Sequence, residues 1–209
     1  MNPEGVPKWI GWAREIQALS QTGLAFSTGQ YDIQRYTRMT EIAAEIAEAH
    51  TGIPAEVLSE NFMRQPGYAT PKIDVRGAVV RDGNILMVQE KVDQRWCLPG
   101  GWADVGDIPS TMVAREVREE SGIEVVARKV VGVYDANRSG RPLEFYHAFK
   151  IIFLCEFVGG SLRGSDETLA AGFFSFGDLP PLSSPRTDPR HLVEIQAHLR
   201  DGQRSTAFD

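Results

Sequence analysis

The sequence predicts an α+β domain over residues 69–209, preceded by a small all-helical domain over residues 1–68. Three observations carry that reading. Apolar residues recur at helical spacing as far as Phe62, and Met63–Pro71, with two prolines and a glycine, then reads as a linker. Beyond it the pattern changes to Val-, Ile- and Phe-rich runs bounded by turn residues. The 209 residues suffice for a small domain joined to a medium one, and 42% hydrophobic with 24% charged residues is the composition of chains that bury a core.

In the N-terminal part, Trp9, Trp12, Ile16 and Leu19 make one stripe of a first helix, read with Tyr31 and Tyr36 as core or as a dimer interface. A second helix is expected from about Asp32 to His50, with Tyr36, Met39, Ala43, Ile46 and Ala47 on its apolar side and Gly52 and Pro54 as stop signals. A short third helix after Pro54 carries Val57, Leu58 and Phe62. The second part opens with a strand through Val75, Ala78 and Val80, then Asp82-Gly83, then a strand through Ile85, Met87 and Val88. Asp-Gly between two apolar runs signals a hairpin. Further strands are expected around Val125–Tyr134, Tyr146–Phe157 and Ala171–Phe176. One helix lies near Ser110–Ser121, with Ser110 as N-cap and Gly122 as terminator, and a last one over Pro189–Leu199.

Charge and motifs narrow the function. The 22 Lys and Arg against 28 Asp and Glu give a net charge of −6, which disfavours a nucleic-acid coat or an anionic-membrane anchor. Residues 1–68 hold 5 basic and 8 acidic side chains, a poor footprint for DNA. The first residues lack the basic and apolar regions of a signal peptide, and no apolar run approaches the ~18 residues that span a bilayer, so a cytoplasmic location is expected. Cys97 and Cys155, far apart and outside any CxxC, read as small buried apolar residues.

Glu116, Glu119 and Glu120 stand at i, i+3 and i+4, so their carboxylates converge on one side of the predicted helix. They repel one another there, in the last turns, where the macrodipole also disfavours anions; a hard divalent cation reverses both costs. Three glutamates alone would more often be a solvated face. The context changes that: from Gly101 the chain reads GWADVGDIPSTMVAREVREESGI.

This segment resembles the Nudix box, GX5EX7REUXEEXGU with U aliphatic. Gly101, Arg115, Glu116, Val117, Glu119, Glu120, Gly122 and Ile123 match, and Asp107 stands where the pattern has Glu. Chance accounts for such a match with a probability on the order of 10⁻⁵. The resemblance implies a Nudix-type α/β/α sandwich with a mixed sheet, and Mg²⁺ or Mn²⁺ held by the Gly100 carbonyl with Glu116, Glu119 and Glu120. It also implies Arg115 as the residue that orients a glutamate. Glu116 or Glu119 is the expected general base, with Glu167 as an outside candidate. The reaction implied is hydrolysis of a nucleoside diphosphate linked to X, giving NMP and phospho-X.

The rest of the chain is similar to the subgroup with a helical N-terminal domain acting on CDP-choline or ADP-ribose, and a homodimer follows from that likeness. Tyr146–Gly160 and Asp166–Ser183 fit it, although Leu169, Ala170 and Ala171 stand where the subgroup carries a further acid, leaving Glu167 as the only nearby carboxylate. Trp96 and Trp102 could stack on a base, with core packing as the simpler role. Arg138, Arg141 and Lys150 are candidate ligands for the phosphate of X, with plain surface charges as the simpler role, and His147 is read as a structural or pocket-wall residue. Two other functions compete: a nucleotide-sensing Nudix-fold binding protein without catalysis, which would normally lose box carboxylates, and RNA end-processing by the same site.

Overall fold

The structure, a computed structural model, describes residues 7–63, 67, 69–104, 106–136 and 147–209. These fall into two compact units. The first holds the described residues up to Pro71 with His147, and the second holds Lys72–Ala136 and Ala148–Asp209. Of the expected linker, residues 64–66 and 68 lie outside the described residues.

The first unit is three helices, α1 (Lys8–Phe26), α2 (Gln30–Thr51) and α3 (Ala55–Met63). Gly52 closes α2 in the left-handed conformation. Small residues make the contact: Ala13 of α1 and Ala43, Ala44 and Ala47 of α2 are buried with Leu58 and Phe62 of α3. Gly23 lies against the Tyr36 ring, so close that a Cβ there would stand 2.5 Å from it. The expected stripe is therefore only partly core. Ile16 packs inward and Trp9 stacks on His50, but Trp12 and Leu19 are each 57% exposed, as is Phe26 at 64%. Tyr31 and Val57 are exposed too. The inward face of α1 is chosen by Ala13 because it lets the helices approach.

The second unit contains β1 (Lys72–Arg81), β2 (Asn84–Glu90), β3 (Trp96–Cys97), β4 (Gly100–Trp102), α4 (Pro109–Ser121), β5 (Ile123–Asp135), β6 (Ala148–Gly160), β7 (Thr168–Ser175), α5 (Pro189–Arg200) and β8 (Ala207–Phe208). The hairpin forms at Asp82-Gly83, both with positive φ (51° and 77°), as a two-residue type I′ loop requires. Beyond Val80↔Ile85 the strands part. β1 pairs antiparallel with β4 at Asp74, Val75 and Arg76 and parallel with β6 from Lys72 to Val79, while β2 pairs with β7 and β3. The sheet is mixed, as the resemblance implied.

Helices cover both faces. Val75 and Val79 of β1 join Met112, Val113 and Val117 of α4 in one cluster; Ala78 joins Leu192 and Ile195 of α5 in the other. Gly77 sits under α4, where a Cβ would be 2.6 Å from Val117 Cγ2. The α4 start differs from expectation: Ile108 is the N-cap without a side-chain bond, Pro109 opens the helix, and Ser110 lies inside it. Proline's fixed φ starts the helix without a capping hydroxyl. Asp188 caps α5 in a reciprocal capping box with His191, whose burial lowers its pKa to about 3. Among the described residues, no helix is long and apolar enough to cross a membrane.

Candidate active site

The site is built by α4 and the loop Cys97–Gly100 in front of it. Gly100 has φ 139°, and a Cβ there would lie 2.0 Å from the Val75 carbonyl, so only glycine fits. Its N–H donates to Glu120 Oε2 at 2.8 Å. One turn earlier on the helix, Glu116 Oε2 lies against Gly101, where a Cβ would be 3.3 Å away. Glutamates at i and i+4 thus meet two successive glycines.

Arg115 binds both sides of this arrangement. Its Nη1 and Nη2 donate to the two Asp107 oxygens at 3.1 Å each, and Nη2 also reaches Glu116 Oε1 at 3.1 Å. Asp107 in place of Glu therefore keeps a two-point pair with Arg115, which holds the Asp107 carboxyl below its usual range.

Two carboxylates of the helix are held above their ordinary range. Glu120 is 7% exposed, and burial, with Glu90 and Glu116 nearby, raises its pKa to about 7 against the opposing Arg76 charge and the Gly100 N–H. Burial also raises Glu116, joined by the charges of Glu119 and Glu167, against the pull of Arg115. Among the described residues, no three His, Cys, Asp or Glu side chains are already gathered into a metal-binding group.

The C-terminal end of α4 brings in a later segment. Thr168 Oγ1 donates to the Glu120 carbonyl at 2.9 Å and Arg163 N to the Ser121 carbonyl at 2.9 Å. This sets Glu167 and Glu119 on one cleft of about 570 Å³, also lined by Arg163, Ser165 and Asp166. Asp166 thus stands beside Glu167, so Glu167 is not the only carboxylate there.

Other expected residues fare unevenly. Trp102 ends β4 with 46% exposure, available for stacking; Trp96 packs edge-on against Phe174 in the core. Lys150 must be corrected: it is 2% exposed, paired with Asp74 at 3.2 Å, and cannot present itself to a phosphate at the surface. Arg138 and Arg141 lie outside the described residues. Cys97 and Cys155 are buried, as expected, and the Cys97 thiol donates to Glu90 at 3.1 Å.

Sequence reasoning missed Asp74, Arg76, Glu90 and Thr187. Arg76 is buried beneath the glycine loop, Glu90 pairs with Arg186 at 2.9 Å, and Thr187 accepts from Leu98 N at 2.8 Å. The one available signal was a pair of charges at i, i+2 within an apolar strand, Asp74 and Arg76.

Comparison with known proteins places these features. Residues 71–194 match the model of the NUDIX domain, and residues 7–62 that of a UDP-X-like, N-terminal oligomerisation domain. YjhB of Bacillus subtilis (strain 168), carried under the provisional name of an ADP-ribose pyrophosphatase, is 38% identical over 202 residues, 97% of each chain. Among solved structures, an ADP-ribose pyrophosphatase from Streptococcus suis 89-1591 shares 38% identity at TM-score 0.60, covering 67% of this chain and 100% of its own. A UDP-X diphosphatase shares 27% identity at TM-score 0.62, covering 97% and 98%.

Proposed function

The chain belongs to the Nudix family, and from that premise we propose that it hydrolyses the pyrophosphate bond of a nucleoside diphosphate linked to X, with ADP-ribose as the leading substrate, to NMP and phospho-X. One observation carries this: Glu116 and Glu120, both raised by burial, abut the glycine pair while Glu119 faces the adjoining cleft. The donor set suits a hard divalent ion, because oxygen ligands that repel one another are relieved by a dication. Gly100, Glu116, Glu119 and Glu120 would hold Mg²⁺ or Mn²⁺, which when bound would neutralise the diphosphate and lower the pKa of a bound water.

The chain's own groups do the rest. Arg115 holds Glu116 in place from Asp107. Glu119, exposed on the cleft, takes the proton of the attacking water, with Glu167 across the same cleft as the second candidate. Trp102 offers an exposed ring for a base. In the first unit, Trp12, Leu19 and Phe26, each seven residues apart along α1, form the face that joins two copies into a homodimer.

A panel of ADP-ribose, CDP-choline, UDP-linked sugars and dinucleoside polyphosphates with Mg²⁺ or Mn²⁺ tests the reading, and products formed in H₂¹⁸O identify the phosphorus attacked. ADP-ribose should lead. UDP-linked substrates are the second reading, favoured by the match of residues 7–62 to the UDP-X-like model. Glu119→Gln should lower kcat at least 100-fold. Absence of turnover across the whole panel would refute the enzyme and favour a nucleotide-binding protein.

A further inference from the structure

We propose that Arg76 is a positioning residue for the glycine loop, acting with Asp74, Lys150 and Thr187 as a buried clamp that fixes Gly100 and, through it, Glu120. This rests on the reading that Gly100 and Glu120 serve a metal-dependent hydrolysis.

The loop is gripped at four backbone groups. Arg76 Nη1 donates to the Leu98 carbonyl at 3.1 Å, and Leu98 N donates to Thr187 Oγ1 at 2.8 Å. Gly77 N donates to the Pro99 carbonyl at 2.8 Å, and Gly100 N to Glu120 Oε2 at 2.8 Å. Arg76 is itself held, its Nε donating to Asp74 Oδ1 at 2.8 Å.

The clamp closes on itself. Asp74 lies opposite Lys150 in the parallel β1–β6 register, so both side chains share the sheet face with Arg76. Lys150 Nζ stands 3.2 Å from Asp74 Oδ2 and donates to the carbonyls of Pro185 at 3.0 Å and Arg186 at 2.5 Å. The next residue is Thr187, which returns to Leu98. One buried carboxylate therefore holds two cations, one gripping the loop from the strand and the other gripping the segment that grips the loop from behind. Apolar side chains of similar volume would serve stability as well or better than buried charges. What they cannot do is hold a carbonyl at a fixed point.

The test uses the full chain and the variants Arg76→Met, Arg76→Lys and Thr187→Val. Three readings are taken: Mn²⁺ affinity by electron paramagnetic resonance, kcat and KM separately for ADP-ribose, and hydrogen exchange at the Leu98 and Gly100 amides. Arg76→Met should lower kcat and Mn²⁺ affinity about 10–100-fold with KM within threefold, and speed exchange at Gly100. Arg76→Lys keeps the charge but not the fork, and should fall between. Thr187→Val, free of any change in charge, should move all readings the same way by less, and decides the matter if Arg76→Met does not fold. Wild-type kcat, Mn²⁺ affinity and Gly100 exchange in folded Arg76→Met or in Thr187→Val would overturn the clamp, as would losses that only follow the folded fraction. Glu120→Gln in the same titration separates the two ideas. If it binds Mn²⁺ as tightly as wild type, Glu120 is not a ligand, and unchanged Gly100 exchange in the clamp variants then rejects the clamp on its own.

Discussion

Replacing Glu120 by Gln should make the metal-free protein more stable while disabling it. The carboxylate is raised from the ordinary 4.5 to about 7, chiefly by burial. An acid whose pKa is higher folded than unfolded binds more protons in the folded state between those two values, so stability falls as pH rises through that window and is level above it. The displacement corresponds to about 3 kcal/mol at pH 8. Glutamine stays neutral at all these pH values and can still accept the Gly100 N–H. In EDTA, calorimetry at pH 4 should find the two proteins alike, and at pH 8 the variant should melt about 6–12 °C higher. Glu116, raised in the same direction, leaves a smaller decline in both proteins. Added Mg²⁺ should close the gap at pH 8 by stabilising wild type selectively. A variant no more stable than wild type at pH 8, or a gap that grows toward pH 4, would refute the reasoning.

Three further outcomes follow from the geometry. Arg115→Ala frees both Asp107 and Glu116 and should cost about 10–100-fold in kcat, whereas Asp107→Glu, which can still pair with Arg115, should stay within threefold in steady-state assays. Trp12→Asp with Leu19→Asp should convert a dimer to a monomer by light scattering; an unchanged mass would remove the α1 face as the interface. Gly77→Ala, whose Cβ would press on Val117 at 2.6 Å, should destabilise by about 1–3 kcal/mol in chemical denaturation.

The parts legible in the sequence are those written in local chemistry. The α4 helix announces itself by glutamate spacing and by Gly122, and the β1–β2 turn by Asp-Gly. The parts that were not legible depend on partners distant in the chain. The stripe of α1 is apolar, and periodicity alone does not say whether its own fold or another molecule covers it; the decision falls to Ala13, Ala43, Ala44 and Ala47, whose smallness admits a neighbouring helix. Lys150 reads as a phosphate ligand because lysines are seldom buried unless paired, and its partner Asp74 is remote in sequence. The capping role of Ser110 was displaced by its neighbour Pro109.

The charges on β1 have a consequence for how the chain finds its fold. Strand side chains alternate faces with a period of two, so slipping β1 by one residue against β6 would turn Asp74 and Arg76 toward the α4 valines and leave Lys150 facing an aliphatic neighbour. Lys150 would then be buried without its counter-ion, and Asp74 would keep only its own-strand partner Arg76, a penalty far above that of misaligned valines. The pairing joins segments more than seventy residues apart and closes late, when many alignments compete. The ion triad thus acts as a key for strand alignment, rejecting the near-misses that an all-aliphatic strand would tolerate.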